Sequence, residues 1–449
     1  MTVGSASPGT PPSKDGAPYP SAAYGWYVIF ILYLAYTLAF VDRQIMAFLV
    51  GPIRQDLAIT DFQFSLIQGL AFAIFYGVLG IPIGLLADAR NRRNIIAAGI
   101  GLWSLMTGLC GFAGKAWQLF AARLGVGVGE AALSPAAISM ISDYFPKEKR
   151  GLPINVYSAG VHTGAGMANI FGGYIAFYAA AGGGQAVALL GDFKPWQLAF
   201  ILVALPGLLV MLLTFTIKEP PRREKRFATT GPTFGETVRY ILDHWVVYFT
   251  LMVGASFAAM ASYGTFSWAP EMISRIFHWD KARIGLDIGI LTIIFGTGGL
   301  VASGALAGAM IRRGHQAVYS KLMIASMACA VLPAVLFVAV PNPYWTLGCL
   351  TLLIFLMSTP IGLVQAALQA VTPNEMRGQV IAIYLVTVTI IGLGSGPSAV
   401  AAVTQFIFAS EDAVGRSIAV VATIAAVVSA GLLAFGVPAY KRKAANPDT

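Results

Sequence analysis

The chain has 449 residues, 57% of them hydrophobic and only 11% charged, with a formal net charge of +9 and a mean hydropathy of +0.73. Soluble domains carry about 25% charged residues, so this composition excludes a water-soluble globule and describes a polytopic membrane protein. No basic run is interleaved with aromatics, so the positive excess is assigned to membrane topology and no nucleic-acid partner is expected.

Taken in chain order, residues 1–25 are rich in Gly, Ser and Pro and read as a disordered cytoplasmic tail without a cleavable signal. Twelve apolar spans follow, at about 26–49, 62–87, 94–113, 117–144, 153–179 and 196–217, then 245–268, 284–311, 321–340, 344–371, 380–408 and 416–440. Each can cross a bilayer, which needs about 20 apolar residues. The chain thus divides into a first bundle over 26–217, a cytoplasmic linker over 218–244, a second bundle over 245–440 and a cytoplasmic tail over 441–449. Thr233 and Glu236 have capping-box spacing, which predicts a short surface helix before the seventh span. Placing both termini inside puts 20 Lys and Arg on that side, 7 on the other, and Arg43 and Arg123 within spans. That bias predicts cytoplasmic termini in an inner or plasma membrane.

The halves repeat. Gly84 to Arg93 closes the second span, and Gly304 to Arg313 closes the eighth with the same spacing; Pro146-Lys-Glu-Lys-Arg-Gly151 follows the fourth, and Pro373-Asn-Glu-Met-Arg-Gly378 the tenth. Both offsets correspond to a shift of six spans, as two parallel structural repeats require.

The first span contains Asp42 and Arg43 side by side. Either charge near a helix centre costs about 2.5 to 3.5 kcal/mol on insertion scales, so such residues persist where they pair or face a watery cavity. Asp42 lies about seven residues, roughly 10 Å, from the outer end of its span, and Arg123 of the fourth span lies at similar depth. Glu130 follows two turns later on the same face as Arg123, and Gly125, Gly127 and Gly129 permit close helix approach. These four charges are expected to form a buried cluster of two acids and two bases. A carboxyl in a dry cavity keeps its proton more readily, and one beside a guanidinium ionises, so moving an Arg can load and unload a proton. Asp42 is therefore the expected principal proton acceptor and Glu130 the second. Arg43 and Arg123 are their partners, with Arg123 free to hold an anionic head group. The competing reading is a permanently ionised cluster that only locks two helices together.

Asp88, Arg90, Arg92 and Arg93, with Gly84, are expected to form a cytoplasmic gate bridging the bundles; the alternative is positive charge for orientation alone. Asn91 is expected to take a left-handed backbone there. The second bundle lacks an equivalent charge cluster. It offers Tyr263 and Trp268 as substrate-binding candidates, Gln365, Gln369 and Thr389 as small polar groups, and Asp287 at an interface. His162 is expected to be an ordinary buried residue.

Three cysteines, odd in number and each inside an apolar segment, predict no disulfide framework. Four scattered histidines, with no metal-ligand spacing, predict no metal site. No catalytic constellation suggests an enzyme, and no filter or pore loop suggests a channel. Protons are the expected coupling ion in place of a cofactor. The expected partners are membrane lipids and a small amphipathic or lipid-like substrate, and the protein is expected to act as a monomer.

On these residues the chain resembles the major facilitator superfamily. Gly84, Leu86, Asp88, Arg92 and Arg93 match its signature between helices two and three, and Arg123 with Gly127 to Ala131 resembles its helix-four motif. Phe40 to Gln44, combined with Gly127-Val-Gly-Glu-Ala131, is similar to the Spinster family. The resemblance implies an all-α membrane fold of twelve helices in two pseudo-symmetric six-helix bundles around a central cavity, working by alternating access. Animal Spinster proteins are associated with lysolipid efflux and sphingosine 1-phosphate export. The expectation is a proton-coupled transporter of an amphipathic organic anion or lysolipid. Its alternative is a proton/drug antiporter, although Gly164, Gly166, Gly172 and Gly173 stand without the Gly-Pro pair of the antiporter signature.

Overall fold

The computed structural model describes residues 19–146, 149–180, 193–222, 232–373 and 375–445. The expected tails over 1–18 and 446–449 and the basic stretch of the linker over 223–231 lie outside the described residues.

Among the described residues the structure is helical throughout, with twelve long helices. Those of the first half are α1 (Ala22–Phe48), α2 (61–89), α3 (Arg92–Cys110), α4 (Ala116–Tyr144), α5 (Gly151–Ala180) and α6 (Pro195–Thr214). The second half holds α7 (Trp245–Phe277), α8 (Lys281–Arg312), α9 (Val318–Leu336), α10 (Pro343–Val371), α11 (Arg377–Ile407) and α12 (Val414–Ala445). Ten of these are long and apolar enough to cross a membrane. The other two, α3 with its paired arginines and the glycine-rich α5, are 19 and 30 residues long.

Local chemistry sets several ends. Thr60 and Gln63 form a capping box before α2, and Asn342 caps α10. The box predicted at Thr233 and Glu236 is present and starts the surface helix Phe234–Asp243. The Thr233 backbone N–H and hydroxyl hold the Glu236 carboxyl below the usual glutamate range. Asn91 departs from expectation. Its backbone is extended, with φ −66° and ψ 113°, because its side chain caps α3 by accepting from the Asn94 N–H at 3.0 Å. The predicted end of the seventh span is also corrected: α7 continues past Pro270 to Phe277.

The start of α1 adjoins the end of α6, where Tyr24 bonds Thr216 and the Lys218 N–H. This end of the molecule, which carries the linker, is called the linker face, and the opposite end the distal face. The repeat is visible in detail. Arg150 donates to the Phe145 carbonyl at 2.8 Å and Arg377 to the Thr372 carbonyl at 3.0 Å, each five residues back.

The halves meet most closely where α5 lies on α8. A Cβ on Gly173 would sit 2.3 Å from the Lys281 carbonyl, and one on Gly285 2.3 Å from that of Asn169, so only glycine allows this backbone approach. Gly69 of α2 similarly faces the Leu393 carbonyl of α11.

Candidate functional site

The structure brings Asp42, Arg43, Arg123 and Glu130 together as two ion pairs between α1 and α4. Arg123 donates to Asp42 at 3.1 Å, and the hydroxyl of Thr107 on α3 donates to the other carboxylate oxygen. Arg43 sets its Nε and Nη2 on one oxygen of Glu130, each at 2.5 Å. Asp42, Arg123 and Glu130 are no more than 2% exposed.

Helix geometry explains the crossing. Neighbouring residues point about 100° apart, so Asp42 and Arg43 address different partners. Side chains lean toward the N-terminus of their helix, which carries the Arg43 guanidinium toward the linker face, where Glu130 lies. The glycines of α4 admit the surrounding helices. A Cβ on Gly127 would fall 2.6 Å from the Phe72 carbonyl of α2, and one on Gly129 2.6 Å from the Trp103 nitrogen of α3.

Sequence reasoning missed the setting of Arg43. Its guanidinium lies 4.7 Å from the Phe40 ring centre and 4.6 Å from those of Phe72 and Tyr76. Desolvated cation–π contacts contribute about 2 kcal/mol, so this box supports a cation that burial alone would reject. The four-residue spacings of Tyr36 with Phe40 and of Phe72 with Tyr76 were the available signal. Thr107 and Gln68, both buried, were also missed.

Of the two second-half candidates, one lines the small cavity beside the ion pairs. Tyr263 faces Arg43 across a residual cavity of about 10 Å³ that Gln44, Gln68, Arg123 and Ser267 also line. Trp268 turns into the core, where its indole N–H donates to the Pro397 carbonyl at 3.0 Å and ties α7 to α11. Gln365 and Gln369 are exposed on α10, Thr389 is buried, and Asp287 lies 3.8 Å from Arg283 near the distal face. His162 is buried, with Gly296 of α8 packed against its ring.

Among the described residues, the contacts of the Gly84 to Arg93 run stay on its own side of the seam. Arg92, 1% exposed, pairs with Asp143 and with Glu219 at 2.7 Å, and reaches Ser139 and the Pro220 carbonyl, each at 3.1 Å. The Arg93 N–H donates to Glu219 at 3.0 Å, the Arg90 carbonyl accepts from Arg222 at 2.6 Å, and Gly84 faces Pro135. All these partners belong to the first half or the start of the linker. The Asp88 side chain lies outside the described residues.

A charged network closes the distal face instead. Arg54 pairs with Asp61 at 2.9 Å and with both oxygens of Glu411 at 2.6 and 3.1 Å. Arg275 sets both Nη atoms on Asp61 at 2.9 and 3.1 Å and its Nε on Glu271 at 3.0 Å; Lys281 reaches Glu271 at 2.9 Å and the Phe48 carbonyl at 3.2 Å. Arg54, Asp61 and Phe48 belong to the first half, and the other four residues to the second. The four-residue spacing of Glu271 and Arg275 could have revealed part of it, had α7 been expected to continue past Pro270.

Comparison with known proteins agrees with this architecture. Residues 32–397 match the Major Facilitator Superfamily. An MFS-type efflux pump of Mycolicibacterium smegmatis is 26% identical over 313 residues, 69% of this chain and 68% of the pump. Protein spinster homolog 1 of Xenopus tropicalis is 34% identical over 200 residues, 43% of this chain and 35% of that protein, so the match spans about a third of the relative's length. Among solved structures, a bacterial homolog to the human lysosomal transporter Spinster, inward-facing and unoccupied, aligns with a TM-score of 0.74 and 26% identity over 95% of this chain and 98% of its own. Its occupied form aligns with the same score and identity. By its helical architecture, its repeated halves and the match over most of its length, the chain belongs to the Major Facilitator Superfamily, a family of membrane transporters, and within it is similar to the Spinster proteins.

Proposed function

We propose that the protein is a proton-coupled secondary transporter that moves an amphipathic organic anion or lysolipid-like molecule by alternating access. The observation that carries this reading is the buried double ion pair, Asp42 with Arg123 and Glu130 with Arg43, set beside the seam between the halves. A proton on Asp42 removes the charge partner of Arg123, whose guanidinium stays cationic and becomes available to an anionic head group. Glu130 stands in the same relation to Arg43. Breaking a buried pair without replacing its charge is costly, so as the carboxyl takes up its proton the anionic head group takes the carboxylate's place at the arginine. The excess of basic residues in the loops of the linker side supports a cytoplasmic linker face, with both termini inside an inner or plasma membrane. The distal network then closes the outside, and the Gly84 to Arg93 run works at the cytoplasmic gate in the opposite conformation.

The test is the purified protein in liposomes enclosing a pH-sensitive dye. Adding a lysophospholipid should change the internal pH, and adding a cationic drug should not. The converse result favours proton/drug antiport, the second reading, which the likeness to an MFS-type efflux pump supports. No pH change with either compound rejects proton coupling.

A further inference from the structure

Beside the two ion pairs, among the described residues, lies a buried polar side chain that takes no part in them. Gln68 is 5% exposed, and neither end of its amide has a hydrogen-bond partner. Leaving a buried polar group unpaired costs about 1 to 3 kcal/mol, and here both ends are unpaired. A buried group of this kind calls for a partner, such as a ligand or an ordered water in the adjoining cavity.

The backbone around Gln68 is also unusual. It sits in a π-helical turn of α2, Leu66–Leu70, a departure from the regular ladder that recurs at functional sites. The next residue, Gly69, presses on the Leu393 carbonyl of α11, where a second π-helical turn, Thr389–Gly394, lies. Gln68 is thus fixed at the seam between the halves. In depth it matches Arg123, since each lies seven residues into a helix that starts at the distal face, about 10 Å in. Its amide lines the small cavity already described, with Arg43, Gln44, Arg123, Tyr263 and Ser267. The Nε of Arg123 is likewise buried and unpaired.

We propose that Gln68 is a specificity-determining residue, whose amide N–H donates to an oxyanion held at Arg123 while its carbonyl accepts from a hydroxyl on the same head group. The inference rests on the anionic-substrate reading above and narrows it to oxyanions that also carry a hydrogen-bond donor. An amide with two unpaired ends selects for this combination, because a ligand lacking the donor leaves the carbonyl buried and unsatisfied. In the present conformation the cavity has room for about one water, so the head group enters when the seam at Gly69 parts.

The test uses the full-length protein in nanodiscs and two single-chain probes, hexadecylphosphoglycerol and hexadecyl methyl phosphate. They share chain and phosphodiester and differ in the head-group hydroxyls. The wild type should bind the glycerol probe about tenfold tighter, the worth of one such hydrogen bond. Gln68→Leu should bring the ratio near one, and Gln68→Glu should weaken both probes. Gln68→Leu should also melt no lower than wild type without ligand, because it removes two unpaired buried atoms; a structural glutamine would give a lower melting temperature. An unchanged ratio in a folded Gln68→Leu variant overturns the proposal while the function reading stands. Failure of the wild type to bind either probe overturns the anionic-substrate reading, and this inference with it.

Discussion

Asp42 and Arg43 are adjacent in sequence and separate in chemistry, each paired with a different residue of α4. If Asp42 carries the coupling proton, Asp42→Asn ends pH-driven uptake in proteoliposomes while substrate exchange without a gradient continues; uptake at the wild-type rate would reject the assignment. Arg43→Ala and Arg123→Ala should each move the pH dependence of transport, and the coupling scheme fails if neither does. Glu130→Ala leaves the Arg43 cation without its partner and should lower stability by about 3 to 5 kcal/mol, read as a loss of melting temperature. Depth and helical periodicity made these four residues legible in the sequence. The Phe72 and Tyr76 walls of the box around Arg43 and the hydroxyl of Thr107 were not, because they come from α2 and α3, whose rotation about their axes only packing decides.

At the scale of elements, glycine sets how the halves meet. Gly173 and Gly285 let α5 and α8 touch backbone to backbone, so Gly285→Leu forces the distal half of that seam apart. The expected result is faster labelling of a Ser267→Cys reporter by an impermeant maleimide from the distal side, in a background without the native cysteines. An unchanged rate would show that the seam does not govern access. The surface helix offers a milder case. The Glu236 carboxyl is held below its usual range by Thr233, so its contribution is full above the ordinary glutamate pKa and is lost as the pH falls through the lowered value. Thr233→Ala should therefore speed amide exchange over 234–243 at neutral pH, and an unchanged rate would show that the box does not hold this helix. This box was legible from spacing alone because its partners are three residues apart. The role of Asn91 was misread, since a cap and a left-handed turn both favour asparagine, and only the backbone angles separate them.

For the whole molecule, the distal network ties the halves together by ion pairs. Arg54→Glu sets like charges at Asp61 and Glu411 and should raise distal labelling of the Ser267→Cys reporter; Glu411→Arg in the same chain should restore part of the closure. If the single substitution leaves labelling unchanged, the network does not hold that face shut. The Arg92 cluster, by contrast, finds its partners in the first half and the start of the linker, and can travel with them as a rigid unit when the halves rock.

By itself the sequence determined the membrane class, the two repeated halves and the identity of the four buried charges. These depend on composition, length and periodicity, which act along one helix at a time. Only the tertiary structure decided that Asp42 takes Arg123 and Arg43 takes Glu130, that Tyr263 lines the small cavity while Trp268 bonds the Pro397 carbonyl, and that a charged network joins the halves at the distal face. Those outcomes depend on the relative rotation and depth of different helices. They are set by glycine contacts and ion pairs between residues up to 357 positions apart, as between Arg54 and Glu411, which no local pattern encodes.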